Sequence, residues 1–534
     1  MYTARPLGLL TRLSCLTVLV VSSPLQAQNP SPSAPASTKQ DQAAATLTRG
    51  DGGQTVVQGR LQNGLRYAIL PRRTREPGVG LLMRNEGGFI AERRPGERGL
   101  AHLIEHIVFH SPTRTAPGEL DRFLRVGLPL TFPAPNVATT TWRESNFFIS
   151  SRTTKPADID TLLGLFREVA GELTFRADAV DGERASVMRE MAEKKRGNDI
   201  SARYVAAVAP GSPNDVIDAQ NSDDVPTASV DTIRALYHRL YRPENMMVVV
   251  VGDVDAPQIE ALIKKRFGGW RGAGPRPNRA PIPTFRPGRI LPISHSALAE
   301  ARTSATITVT APLPPPARTR RQQADATLMD MLALRAINYR LSLTQAAGPP
   351  GKFGAFIENG EQGPHRLIML WDNFVPGQWR PAVTGLKRTA CELSTIGVSE
   401  QDWTTAKQYL LQDLERRAAD IPNVELAKDL SHALADERHL IPPDEMVRHA
   451  RAVLPTISAR AMNAWWRRQW SAGVEHLRVE SPELAQVDNP ETAIRATVDE
   501  ATRNVGCKVR PNGAGQRRGA RRGIVRPDQH FGRS

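Results

Sequence analysis

The 534-residue chain is predicted to be an α+β protein of two successive layers, each an antiparallel-rich sheet covered by helices. Three observations lead there. The length exceeds what one ordinary hydrophobic core fills and suits two domains of roughly 200 residues. Strand-like runs alternate with helical runs whose apolar residues recur at the 3.6 spacing, so the two kinds of element are mixed rather than segregated. Residues 272–289 hold five prolines, three glycines and four arginines, a linker composition, and beyond them the pattern starts again as in a duplicated fold. Apolar residues at 40% and charged ones at 23% exclude a chain that is disordered throughout.

A β-hairpin opens the first layer, because Leu61-Gln-Asn-Gly-Leu65 sets an Asn-Gly turn between a strand beginning at Val56 and a second over residues 66–70. A strand at 80–83 precedes a helix whose Leu100, Leu103, Ile104, Ile107 and Val108 keep the helical period. Residues 146–150 are strand-like, 159–173 and 180–195 helical. The apolar run 246–251, closed by Gly252-Asp253, is a buried strand followed by a helix over 257–267. The second layer has strands at 304–310 and 366–371 and long helices at 321–344, 381–396 and 402–418.

At the N-terminus, Arg5 and Arg12 precede an apolar run over 13–21, and Leu25-Gln-Ala27 ends a short polar segment. This is the pattern of a signal peptide over 1–27, which implies export, most simply to a periplasm. A run of nine is far short of the ~20 residues that span a bilayer, so stable membrane insertion is not expected. Residues 28–50, rich in Ser, Pro, Ala, Gln and Thr, are expected to be a flexible leader. Past the signal only Cys391 and Cys507 remain, which is no disulfide framework, although one bridge is allowed. The net charge of +15 is concentrated late: from Arg503 onward there are nine Lys or Arg and one acid, Asp528. With almost no aromatic residues interleaved, that stretch is expected to be a disordered basic tail over 501–534, and nucleic acid is excluded as a partner.

The chemistry is concentrated in residues 99–109, GLAHLIEHIVF. On a helix, positions four apart stack one turn above another, so His102 and His106 present two imidazoles to one point, with Glu105 on the edge of the same face. Two imidazoles and one carboxylate hold zinc with a position open for water, and a neighbouring free carboxylate takes that water's proton. The third ligand lies elsewhere. The helix at 180–195 offers Glu183 and Glu190, seven apart on one face, either of which suits the metal while the other steadies a histidine from behind.

These residues resemble those of a known family. Gly99 to Phe109 resembles the inverted His-x-x-Glu-His helix of the pitrilysin/insulinase zinc metallopeptidases. Glu183-Arg-Ala-Ser-Val-Met-Arg-Glu190 is similar to that family's downstream helix, and the Asn-Gly hairpin and the stretch Tyr241-Arg-Pro-Glu-Asn-Met-Met-Val-Val-Val-Val-Gly-Asp253 match further landmarks in order. The resemblance implies half of a pitrilysin-like clamshell: a catalytic domain over 51–271, the linker, and a non-catalytic second domain over 290–500. It implies one Zn2+ held by His102, His106 and Glu190, Glu105 as general base and Glu183 behind a ligand, in preference to Glu193 as ligand. His110, one turn past His106, has no role in the family and is expected to be a surface histidine. The stretch from Pro135 to Phe147 is similar to the family's segment beside the metal, which implies substrate contacts at Asn136 and Phe147 and a peptide bound as an added strand. The implied function is an exported zinc endopeptidase acting on peptides or unfolded polypeptides. Tyr339-Arg-Leu341 and the loop after it resemble an Arg-Leu helix of the family but lack a clear Arg and Tyr pair for the substrate. This departure leaves two alternatives: a chain needing a second pitrilysin-like subunit or a homodimer, or a shortened, non-catalytic relative that binds peptides.

Overall fold

A computed structural model of the chain describes residues 46–49, 55–73, 77–116, 127–128, 130–131, 137–195, 222–274, 281, 293–298, 303–345, 352–360 and 365–503. The expected signal peptide, Asn136, most of the expected linker, Cys507 and the tail beyond 503 lie outside these residues.

In chain order the first layer runs β1 (Thr46–Arg49), β2 (Thr55–Arg60), β3 (Arg66–Pro71), β4 (Val79–Asn85), α1 (Leu100–His110), β5 (Leu130–Thr131), β6 (Ala138–Thr140), β7 (Ser145–Ser151), α2 (Pro156–Gly171), α3 (Ala177–Lys195), α4 (Val230–Leu240), β8 (Met246–Gly252) and α5 (Ala256–Phe267). Its eight-stranded sheet has the order β1-β2-β3-β8-β4-β7-β5, with β6 also on β7. Only the β3–β8 pair is parallel among the described ladders of this sheet. The Asn-Gly turn forms as predicted: Gly64 takes φ 95°, and the Asn63 amide donates to the carbonyls of Phe267 (2.7 Å) and Trp270 (3.0 Å), tying the hairpin to the end of α5. β1 departs from the expected leader over 28–50, because backbone pairing with β2 from Thr46↔Gln58 to Arg49↔Thr55 needs no apolar side chains.

The second layer runs β9 (Ile293–Ser296), β10 (Ser304–Ala311), α6 (Arg320–Gln345), β11 (Lys352–Asn359), β12 (Arg366–Asn373), α7 (Trp379–Thr395), α8 (Glu400–Asp420), α9 (Asn423–Ala435), α10 (Pro443–Val453), α11 (Ala459–Ser471), β13 (Val474–Glu480) and α12 (Pro490–Arg503). Its sheet has the order β11-β12-β10-β13-β9. The two helix-covered sheets predicted from the sequence are therefore present. α12 carries regular structure through Arg503, so the first residues of the expected tail are helical, with Ala501 buried. Cys391, inside α7, is disulfide-bonded.

Strands β3, β4 and β8 of the first sheet are buried on both faces. Met246, Val248 and Val250 of β8 face the helix-covered core with Leu81, Met83, Tyr67 and Ile69. Met247, Val249 and Val251 face the other way, with Leu82, Ala68 and Leu70. Alternation by twos into two cores is why β8 appears in the sequence as an unbroken apolar run. The second face is closed by α9, whose Val424, Leu426, Ala427 and Leu430 form one cluster with it. The contact is close and hydrogen-bonded: a Cβ on Gly80 would clash with the Val424 amide, Asn423 donates to the Gly78 carbonyl at 3.0 Å and Arg72 to the Ile421 carbonyl at 2.8 Å. The expected divisions 51–271 and 290–500 thus do not separate two independent cores, since part of the later segment completes the earlier one.

Charge reinforces this seam. Arg84 in β4 has no exposed surface, donates to Glu86 at 3.0 Å and pairs with Glu144. Arg143 donates to Asp436 at the end of α9 at 2.7 Å, as does Arg438. Burial alone would raise the Glu86 carboxyl, but Arg84 and Arg66 hold it down at about 2. Leu430→Ala should destabilise the protein by about 2–5 kcal/mol in chemical denaturation and speed amide exchange in β4 and β8, although both strands are far from it in sequence. Unchanged exchange in those strands would show that α9 does not close that core.

Candidate metal centre

α1 is held by its apolar face and by its start. Leu100, Leu103, Ile104, Ile107 and Val108 are fully buried, and the N-cap Gly99 sits at φ 84° where a Cβ would be 2.7 Å from Ser222 Cα. Gly99 offers no side chain for the orphan amides of the first turn. Glu92 supplies it from the preceding loop, accepting from Gly99 N at 2.9 Å and Ala101 N at 2.7 Å. Burial pushes the Glu92 carboxyl up to about 8, against the pull of those two amides. Glu97, also buried, accepts from Arg239 of α4 at 2.6 Å. Neither carboxylate was singled out in the sequence, because nothing in a charged loop distinguishes a buried capping residue from a solvated one.

α3 packs beside α1 through the buried Val187 and Met191, and the Arg184 guanidinium donates to the carbonyls of Val225 and Ala228. This places Glu190 over the two histidines. His106 Nε2 is 3.2 Å and His102 Nε2 3.6 Å from Glu190 Oε2, and one donor atom from each of the three lies within 4.8 Å of the others. Metal bonds of about 2.0–2.1 Å in a tetrahedron would put ligand atoms about 3.3–3.4 Å apart, so this donor set fits zinc without rearranging the helices. Glu183, seven residues before Glu190, lies behind the histidines: its Oε2 is 3.4 Å from His106 Nδ1 and its Oε1 2.8 Å from His110 Nδ1. Side-chain exposure rises from 8% at His102 through 20% at His106 to 34% at Glu190, so the cluster opens toward solvent on the α3 side.

Burial works against a charge on His106, but hydrogen bonds to Glu183 and Glu190 and the nearby Glu105 carboxylate overcome it and push its pKa up to about 9. Burial likewise would raise Glu183, yet His106 and His110 hold it down at about 2. Without a metal, the cluster therefore favours an ionised Glu183 beside a protonated His106.

The structure brings together His102, His106, Glu190 and Glu183, with Glu105 half-buried on the same turn of α1. Glu193 follows Glu190 by three within α3. Phe147 departs from its expected role: it is 1% exposed and packs between Phe109 and Tyr241, at ring distances of 6.2 and 6.3 Å, as a core residue of β7. The β7 ladder at that point is already paired, with Ala138↔Phe147 on one side and Met83↔Phe147 on the other, so among the described strands β6 supplies the outer edge there. His110 is exposed, as expected, but is also bonded to Glu183.

A His-x-x-Glu-His helix lying against a helix that adds a carboxylate is the arrangement of the inverted-motif zinc metallopeptidases. Residues 87–207 match the family model of Insulinase (Peptidase family M16), and residues 227–410 match that of the Peptidase M16 inactive domain. The chain belongs to the pitrilysin/insulinase family. It is 31% identical to the probable zinc protease PqqL of Escherichia coli (strain K12) over 221 residues, 40% of this chain and 23% of that protein. It is 27% identical to the zinc protease PqqE of Helicobacter pylori over 210 residues, 39% of this chain and 45% of the relative. These matches span less than two thirds of either relative. In fold, the chain resembles the first half of the periplasmic protease PqqL from Escherichia coli, with a TM-score of 0.67 and 21% identity over 84% of this chain and 96% of that one. Against the crystal structure of the PqqL protease the same score covers 52% of its chain.

A ligand histidine must be neutral, so zinc should compete with the proton on His106. With that pKa raised above the ordinary 6.5, the proton stabilises the metal-free protein fully below pH 6.5, and this contribution is lost as pH rises through about 9. Zinc affinity, measured by chelator competition, should rise about tenfold from pH 7 to pH 8 with release of about one proton. A pH-independent affinity over that interval would contradict this charge assignment.

Proposed function

We propose that this chain is an exported zinc endopeptidase that hydrolyses peptides or unfolded polypeptides. The observation that carries the reading is the convergence of His102, His106 and Glu190 at ligand spacing, with Glu105 free on the same helix turn. Zinc bound there would polarise the scissile carbonyl and lower the pKa of water toward ~7. Glu105 accepts the proton of the attacking water and later passes it to the leaving amine. Glu183 accepts from His106 Nδ1, which leaves Nε2 for the metal and sets the tautomer. The peptide joins the first sheet at its β6 edge as an added strand, held by backbone hydrogen bonds, with Asn136 as a contact.

Export rests on the signal-like residues 1–27 and on the likeness to a periplasmic protease, and among the described residues no helix is long and apolar enough to cross a membrane. A second reading, that activity needs another pitrilysin-like half or a second copy, is favoured by the match of 227–410 to an inactive-domain model and by the 52% coverage of the PqqL protease. Glu105→Gln should retain about one zinc per chain while peptide hydrolysis falls by 10²–10⁴-fold, as roughly expected for loss of a general base. A wild type that binds zinc but cleaves only when another half is added would establish the second reading, and one that binds no zinc would end both.

A further inference from the structure

We propose that His110 is a positioning residue of the metal centre: it fixes the Glu183 carboxylate so that its second oxygen faces His106. The proposal rests on the metal-site reading given above. His102, His106 and His110 are spaced four apart on α1 and share one face. Glu183 spans two of them, with Oε1 2.8 Å from His110 Nδ1 and Oε2 3.4 Å from His106 Nδ1. The last torsion of a glutamate is broad and two-fold, so a single long contact to His106 leaves the carboxylate free to turn. A second, shorter contact from the same helix removes that freedom. Glu183 is also mostly buried, at 13% side-chain exposure, whereas His110 is 56% exposed. The inner histidine is thus oriented by a carboxylate whose own orientation is held from the surface, and outer partners of this kind matter to metal affinity.

The bland alternative is a surface ion pair of little consequence. Coupling to the metal distinguishes the two. His110→Asn keeps an N–H donor where Nδ1 now lies, and His110→Phe keeps the ring without a donor. Zinc affinity of the purified chain should stay within about twofold of wild type in H110N and fall about tenfold in H110F. In a Glu183→Ala background, H110F should have no further effect, because the group it positions is gone. Crystal structures of the metal-free variants supply a readout independent of zinc, with Glu183 Oε2 still facing His106 in H110N and turned away in H110F. The proposal is overturned if H110F binds zinc like wild type, if its loss is the same in the Glu183→Ala background, or if Glu183 is unmoved in the metal-free H110F crystal. If wild type itself takes up no zinc, the metal-site reading fails, and the crystals still decide whether His110 holds Glu183.

Discussion

Strands β3, β4 and β8 carry apolar side chains on both faces, and neither face can be left in water without forfeiting about 25 cal/mol for each Å² exposed. One face is closed by the helices of its own layer, α1 among them. The other is closed by α9, which arrives from beyond residue 420. The His-x-x-Glu-His helix is therefore mounted on a sheet whose second face is closed by a segment far away in sequence. The seam also carries buried charge, since Arg84 pairs with Glu86 and Glu144 on the first layer's side and Arg143 reaches across to Asp436. Removing one member of such a group would leave another uncompensated in a poorly hydrated place.

Within the site, buried carboxyl groups are held in two ways. At the start of α1, burial outweighs the two backbone amides that donate to Glu92 and pushes its carboxyl up to about 8. At the donor cluster, carboxylates from α3 face imidazoles from α1, so that without metal the charge balance is kept by a proton on His106. A divalent cation would take over that balance with the same donor atoms. The helices need not move for this, because α1 is fixed at its start by Gly99 and Glu92, and α3 by Arg184 on the 222–228 turn.

On the α3 side the donor cluster meets solvent at Glu190.

By itself the sequence determined which elements form and which residue types meet. The period of Leu100, Leu103, Ile104, Ile107 and Val108 makes α1 a helix, the spacing of His102 and His106 aims both rings one way, and the seven-residue gap puts Glu183 and Glu190 on one face. These are local consequences of the 3.6 repeat, and so are legible without a fold. Tertiary structure decided the rest, because it depends on contacts between distant segments. The alternating signal in Phe147 does not say whether that side chain faces substrate or core, and packing between Phe109 and Tyr241 settled it. The apolar run of β8 announces burial on both faces but not that α9 provides the second cover. Glu92 and His110 look like ordinary surface residues in the chain, and only the placement of the α1 amides and of Glu183 gave each of them a partner.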